Sequence, residues 1–352
     1  MKIAVLPCDA IGPEITAATM TVLEAAQMKY DLDLDFTEYD VGLTALEKEG
    51  TTFPDHVFEA VKNSDGFILG PHNNMAYPSP EEGGINVSTR CRKFFDLYAN
   101  IRPAVAYADF AKINKPIDLV IVRENTEGFY ADRNMFQGSG EFMPTANLAI
   151  SVRKISAEGS NRIAQSAFEL AQSRPRKKVT AVHKANVLTM GEGLFLREVR
   201  KVAEQFPGVE LEEVIVDAMA AFLIRHPEQF DVIVTTNLYG DILSDEASEL
   251  AGSLGLAPSI NAGHDIAMAQ AQHGSAPDIA GQDIANPVSL IISAAMLLDW
   301  LGRRQNSNGL CDAGAAIGEA VRITLEDPKS RTRDLGGSLG TQAFGKIVAD
   351  KI

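Results

Sequence analysis

An α/β protein of two lobes is what this sequence predicts, on three observations. Its apolar runs are short, rich in β-branched residues and separated by stretches of helical periodicity. Its 352 residues can bury more than one ordinary core. Polar and charged residues recur directly after the apolar runs, where open α/β sheets hold their ligands.

Strands are expected at residues 2–6 (KIAVL), 66–70 (GFILG), 118–122 (DLVIV), 178–182 (KVTAV), 212–216 (EEVIV) and 231–235 (DVIVT). Helices are expected over Glu14–Lys29, Ala157–Gln172 and Glu192–Phe206. This alternation predicts a largely parallel sheet into which antiparallel strands can be mixed. Residues 141–154 (EFMPTANLAISVRK) alternate as a hairpin or arm does, of the kind that exchanges with a second subunit. Lobe boundaries near residues 100 and 250 would make the first lobe discontinuous: 1–100 with 251–352, around a second lobe of 101–250.

Composition narrows the partners. The formal net charge of −15 argues against nucleic acid and against an anionic membrane surface. No apolar run approaches the roughly 20 residues that span a bilayer, and Met1–Lys2 leads straight into a strand without a secretory leader. Cys8, Cys91 and Cys311 are odd in number and widely spaced, which fits a reducing cytoplasm and no metal knuckle.

The densest information lies in residues 231–245, DVIVTTNLYGDILSD. A buried strand is broken at Asn237, and Asp241 and Asp245 follow at i, i+4. If that stretch is helical, both carboxylates share one face about a turn apart, where they repel unless a hard cation lies between them. Oxygen ligands of this kind suit Mg²⁺ or Mn²⁺. Asp217, ending the run 212–216, offers a third carboxylate. Arg92, Arg102 and Arg123 carry forks that bind carboxylates bidentately, and three converging forks suit a di- or tricarboxylate. Lys184 follows the run 178–182 and can serve as a base, and Tyr130 can supply a phenol proton. Each residue taken alone is an ordinary surface or packing group. Four strand ends all equipped for one anionic, metal-assisted site are not.

No G-x-G-x-x-G follows the first strand, so a Rossmann dinucleotide site is unsupported. The stretch His273, Gly274, Ser275, Ala276, Pro277, Asp278 can instead bring backbone N–H groups to an anion. Asp278 can accept from an adenosine ribose and repel a 2′-phosphate.

Together these segments resemble the β-decarboxylating dehydrogenases, that is, isocitrate, 3-isopropylmalate and homoisocitrate dehydrogenases. The resemblance runs from KIAVLPCDAIGPEI to DLGGSLGT and takes in DLYANIRP, IVRENTEGFY, HKANVL, NLYGDILSDEASELAGSLGLAPS and HGSAPDIAGQDIANP. It implies a two-lobed isocitrate/isopropylmalate dehydrogenase-like α/β fold with a mixed sheet, which is not a Rossmann fold. It implies that Arg92, Arg102 and Arg123 hold the malate carboxylates, that Tyr130 and Lys184 are the acid–base pair, and that Asn186 contacts nicotinamide or substrate. Asp217, Asp241 and Asp245 match the metal carboxylates, and His273 through Ile279 with Asn286 match the adenosine loop. An acid at Asp278 favours NAD⁺ over NADP⁺. Lys184 and Asp217 would act in a partner subunit's site, so a homodimer at least is implied, with pairing into tetramers left open. Lys184 would take the C2 hydroxyl proton as hydride leaves to NAD⁺ beside Mg²⁺ or Mn²⁺, CO₂ would then depart, and Tyr130 would protonate the carbon left behind.

Two departures matter. The opening loop, often GDGIGPE in these relatives, reads Cys8-Asp9-Ala10-Ile11-Gly12-Pro13-Glu14. Loss of two glycines restricts the backbone there. Second, isopropylmalate enzymes place leucines around Ser88 and Thr89; here both are small and polar, with Asn86 and Arg90 close by. Asn86 and Ser88 are therefore expected to face a polar or carboxylated substituent, as in isocitrate or homoisocitrate. 3-Isopropylmalate, tartrate and D-malate remain alternatives. A metal-dependent lyase or hydrolase on this fold would keep the aspartates without needing Asp278. A dicarboxylate-binding protein would keep the arginines without needing Lys184 and Tyr130.

Overall fold

The computed structural model describes residues 1–107, 110–130 and 140–352. In chain order its main elements are β1 (Lys2–Leu6), α1 (Gly12–Tyr30), β2 (Asp35–Glu38), α2 (Leu43–Glu49), α3 (Asp55–Lys62), β3 (Gly66–Leu69), α4 (Val87–Phe94), β4 (Ala99–Val105) and β5 (Asp118–Glu124). The hairpin β6 (Glu141–Thr145) and β7 (Leu148–Ser151) follows, then α5 (Ala157–Ser173), β8 (Lys178–His183), α6 (Gly191–Ala203), β9 (Glu210–Ile215), α7 (Val216–Arg225), β10 (Val232–Thr235) and α8 (Asn237–Ala251). The chain closes with β11 (Ile260–Ala262), β12 (Ala267–Gln270), α9 (Val288–Gln305), α10 (Asn308–Glu326) and α11 (Thr341–Ala349). Among the described residues no helix is long and apolar enough to cross a membrane.

The chain folds as two compact units, Met1–Cys91 with Ser253–Ile260 and His264–Ile352, and Arg92–Gly252 with Asn261–Gly263. The first boundary thus falls after Cys91, not near residue 100. The reason is local: Asn125 donates from its side chain to the Leu97 carbonyl (2.9 Å) and from its backbone to Tyr98 (2.9 Å), so the approach to β4 belongs with β5.

In the first unit, β2, β1, β3 and β12 lie side by side in parallel. The buried run Ile3–Leu6 explains β1, and α1 starts where Pro13 can occupy a first-turn position without needing a donor. Helix α9 packs on β12 and β3, and α1 packs on α9, α10 and α11. A Cβ on Gly12 or on Gly70 would lie 2.0 Å from the Pro7 carbonyl oxygen, so the turns leaving β1 and β3 close on one another only because both positions lack a side chain.

In the second unit the order is β4–β5–β10–β8–β9. Strand β4 runs antiparallel to β5, and the remaining pairs are parallel, so the sheet is mixed. Its central strands are apolar throughout because both faces are covered. Val120, Val122, Val232 and Val234 pack with Ile163, Phe168, Phe195 and Val199 of α5 and α6. Leu119, Ile121 and Ile233 point the other way, to Met219 and Leu223 of α7 and Leu243 and Ala247 of α8. Residues 141–154 do form a hairpin, with Glu141 opposite Ser151 and Phe142 opposite Ile150. Most expected strands shift by a residue at an end, and β5 and β9 differ instructively. Strand β5 runs on through Arg123 and Glu124, because β4 offers it partners as far as Ala99. Strand β9 stops at Ile215, and Val216 already begins α7.

Phe168 is fully buried and its ring stacks on Phe206 at 5.6 Å. Phe168→Ala should therefore destabilise the second unit by about 3–5 kcal/mol. Chemical denaturation followed by intrinsic fluorescence and circular dichroism checks this; a loss below about 1 kcal/mol would mean that the helix layer is not close-packed there.

Candidate active site

The strongest assembly of functional groups lies in the second unit. Side chains alternate along a strand, so Arg123 shares the face of Leu119 and Ile121, and Arg102 shares the face of Ala104. Both guanidiniums therefore emerge toward α8. Arg123 is 2% exposed and Arg102 7%. Arg123 donates through Nε and Nη2 to Asn237 Oδ1 (3.1 and 2.7 Å) and through Nη1 to Asp241. Arg102 Nη1 donates to Ser244 Oγ (2.8 Å), with Asp241 at 3.3 Å and Asp245 at 3.4 Å. Gly240 makes this approach possible: a Cβ there would stand 2.6 Å from Arg123 Cγ.

Asp241 and Asp245 do lie on one helix, a turn apart, with side chains 36% and 54% exposed. Their carboxylate oxygens are hard donors of a type suited to a divalent cation. Burial pulls the Arg102 pKa down to about 10; the neighbouring Arg123 charge adds to the pull, and Asp241 and Asp245 oppose it. Arg102 stays cationic at neutral pH, and its buried Nε has no acceptor among the described residues. That is a donor left for an anion. The Tyr130 hydroxyl lies 3.5 Å from Asp241 Oδ2, and the Arg123 guanidinium sits 5.8 Å from its ring centre. Tyr130 thus belongs to the same assembly.

Lys184 and Asp217 form a separate pair. Lys184 directly follows β8, Asp217 lies in the first turn of α7, and the ammonium bonds the carboxylate. Lys184 is the first cause holding the Asp217 carboxyl below the usual range. Among the described residues no three His, Cys, Asp or Glu side chains gather as a metal cluster, so Asp217 does not join Asp241 and Asp245 within one chain. Asn186 is exposed in the loop after Lys184. Arg92 donates to Asn125 Oδ1 (3.3 Å), and Asn125 and Asn100 both donate to Asn261 Oδ1 (3.1 and 2.8 Å). This buried asparagine set beneath Arg92 carried no signal in the sequence, since Asn261 lies over a hundred positions from the other two.

Asn86 and Ser88 have internal partners. Asn86 caps α4 by accepting the Thr89 N–H (2.8 Å), and the buried Ser88 hydroxyl bonds Gln270 Oε1 (3.2 Å). Arg90 lies 4.4 Å from the Phe58 ring centre and pairs with Asp55. These side chains hold α4 in place.

The first unit holds a pocket of about 260 Å³, lined by Ile11, His273, Gly274, Ala276, Asn286 and Asp334 among others. His273 Nδ1 donates to the Gly274 carbonyl (2.9 Å), and burial holds its pKa below the usual value, so the ring is neutral at pH 7. Its Nε2 is then a buried acceptor without a partner among the described residues. Asn286 bonds Asp334 (3.0 Å) and caps α9 at Val288 (3.0 Å). Ser275 is buried and accepts the Ile11 N–H through its carbonyl (3.1 Å); Asp278 is exposed on the same loop, followed by Ile279. The opening loop keeps a glycine-type backbone without glycine: φ is 63° at Cys8 and 53° at Ala10. Asp9 holds it there, accepting from the backbones of Leu43 and Asn73 (2.8 Å each) and from the Tyr77 hydroxyl (2.5 Å).

Paired guanidiniums over two carboxylates on one helix have the chemistry of a site for an anionic ligand beside a cation. The comparisons make the assignment specific. Residues 2–348 match the isocitrate/isopropylmalate dehydrogenase family. The 3-isopropylmalate dehydrogenase of Methanothermobacter thermautotrophicus is 41% identical over 99% of this chain and 98% of its own. The isocitrate/homoisocitrate dehydrogenase of Thermus thermophilus is 41% identical over 100% and 98%. The crystal structure of isocitrate dehydrogenase from Methylococcus capsulatus superposes with a TM-score of 0.85, at 37% identity, over 99% of this chain and 98% of that one. The chain belongs to the isocitrate/isopropylmalate dehydrogenase family and is an oxidatively decarboxylating dehydrogenase.

Two measurements follow. Ala10→Gly should raise stability by about 1 kcal/mol by relieving the left-handed backbone; an unchanged or lower denaturation midpoint would contradict the strain. Ala185 N–H donates to His183 Nδ1 (3.0 Å), which requires the unprotonated ring. Burial holds the His183 pKa below 6.5, opposed by Glu213 and Glu192 and assisted by Arg200. The unfolded chain thus takes up this proton first, so stability is lost as pH falls from near 7 through 6.5 toward the depressed folded value. His183→Gln should flatten that part of the stability–pH curve.

Proposed function

We propose that this chain is an NAD⁺-linked, Mg²⁺- or Mn²⁺-dependent enzyme that oxidatively decarboxylates a 3-substituted (R)-malate whose substituent is polar, as in isocitrate or homoisocitrate. The observation that carries the reading is the convergence of buried Arg102 and Arg123 on Asp241 and Asp245. In the mechanism proposed, Arg92, Arg102 and Arg123 orient the carboxylates and Lys184 takes the C2 hydroxyl proton; NAD⁺, when bound, would supply the acceptor for the C2 hydride. The bond from C3 to its carboxylate then breaks with loss of CO₂, and Tyr130 delivers a proton to C3. Asp217, Asp241 and Asp245 would hold the divalent ion, which supplies Lewis-acid polarisation of the C2 oxygen when bound. The neutral His273, Asn286 and the loop through Ile279 would take adenosine, and exposed Asp278 would meet its ribose.

Sharing of sites between the subunits of a homodimer is supported by the separation of Lys184 and Asp217 from the other carboxylates within one chain. The hairpin also leaves Phe142 (52%), Met143 (63%) and Leu148 (49%) exposed, which suits an exchanged arm. The substituent preference rests on what stands at Ser88 and Thr89. Ser88 is a short side chain already bonded to Gln270, so it presents no apolar branch for an isopropyl group to pack against.

The test follows NAD⁺ reduction by absorbance with Mg²⁺ across isocitrate, homoisocitrate, 3-isopropylmalate, tartrate and D-malate. One of the first two should lead; equal or better turnover of 3-isopropylmalate would sink the substituent assignment. Chelation should abolish activity and Mg²⁺ restore it. Arg123→Lys should lower kcat/KM by about a hundredfold, since a lysine cannot reproduce the fork. Asp278→Lys should move preference toward NADP⁺.

A further inference from the structure

Behind the Lys184–Asp217 pair lies a buried ion pair that the mechanism above does not use. Glu192, in the first turn of α6, is completely buried. One of its carboxylate oxygens accepts the backbone N–H of Lys184 (2.9 Å), and the other bonds Arg153 Nη2. The same Nη2 donates to Thr236 Oγ1 (3.0 Å), and Thr236 is the residue immediately before α8. Arg153 is held in turn by the rings of Tyr239 (5.3 Å) and Phe129 (5.9 Å), and it follows β7 by two residues.

We propose that Glu192 is a positioning residue for the reaction, its carboxylate fixing the backbone of Lys184 and, through Arg153 and Thr236, the start of the helix that carries Asp241 and Asp245. The inference rests on the assignment of Lys184 as base. The physical argument is one of rigidity. Lys184 opens an exposed turn in which its carbonyl accepts the Val187 and Leu188 N–H groups (3.0 and 2.9 Å), and the carboxylate of Glu192 anchors that turn through the Lys184 N–H. A buried charged acceptor on its N–H supplies a stronger restraint than a neutral one would. A displacement of a base by about 1 Å is enough to cost about a hundredfold in rate. Because Arg153 also belongs to the base of the hairpin, movement of the arm reaches both carboxylate-bearing elements through this one pair.

Glu192→Met with Arg153→Met replaces the ion pair by apolar groups of similar length, which keeps the packing and avoids a buried lone charge. Glu192→Gln retains an acceptor for the Lys184 N–H. The acid turned over fastest in the panel above, deuterated at C2, is the probe. For the double variant we expect a melting temperature near wild type, a KM for NAD⁺ within about twofold, kcat down about tenfold or more, and a larger deuterium isotope effect on kcat. Glu192→Gln should fall between. Hydrogen exchange at the Lys184 amide should quicken in the double variant regardless of turnover. An unchanged kcat and isotope effect despite faster exchange would overturn the proposal. So would a fall in kcat with an unchanged isotope effect, since that reports only loss of folded enzyme. Lys184→Met separates the two readings: if it is inactive while the Glu192 variants are normal, only the positioning role fails, and if it retains turnover, the base assignment and the positioning role fail together.

Discussion

A guanidinium removed from water to the degree of Arg123 loses several kcal/mol of hydration, and its burial is tolerated only where the surrounding chain returns that energy in directed hydrogen bonds. Asn237 and Asp241 supply those bonds from the first turns of α8. This single demand organises much of the second unit. It sets the face on which β5 presents its side chains, requires a glycine at 240, and fixes the distance between the sheet and α8. Gly128 lies on another side of Asn237: its φ of 75° favours glycine, and a Cβ there would stand a tight 3.2 Å from Asn237 Cβ.

Satisfying the arginines with the aspartates has a chemical consequence. Asp241 is bonded by two guanidiniums yet remains partly open, so negative charge is concentrated there without being left to repel itself. A cation and an anionic substrate can then be exchanged for part of this bonding instead of being added to an unbalanced site. The donor of Arg102 that finds no acceptor among the described residues marks where the protein's own groups stop short.

The first unit handles strain differently. Cys8 and Ala10 occupy backbone conformations that favour glycine, and Asp9 between them overdetermines the loop with three hydrogen bonds. Gly42 lies close enough that a Cβ would stand 2.3 Å from Asp9 Oδ1. The loop keeps its path because a buried carboxylate, not backbone freedom, holds it, and through Ile11 and Ser275 it meets the loop that borders the pocket.

What the sequence determined by itself was whatever short-range pattern encodes. Runs of β-branched residues marked β1, β3, β5, β8 and β10; the i, i+4 spacing put Asp241 and Asp245 on one helix face; the alternation at 141–154 marked the hairpin. Arg123 and Lys184 stood out because each follows an apolar run, and the family motifs named Arg92, Arg102 and Tyr130 beside them. Tertiary structure decided everything that depends on partners distant in sequence. Strand β5 lengthens through Arg123 because β4 is there to pair with it. Asn86 accepts the Thr89 N–H and Ser88 donates to Gln270, partners that their positions in the sequence did not announce. The bonds of Asn125 to Asn261 and of Arg153 to Glu192 and Thr236 span dozens to over a hundred positions, and a hydrogen bond leaves no mark in composition or periodicity when its two ends are that far apart along the chain.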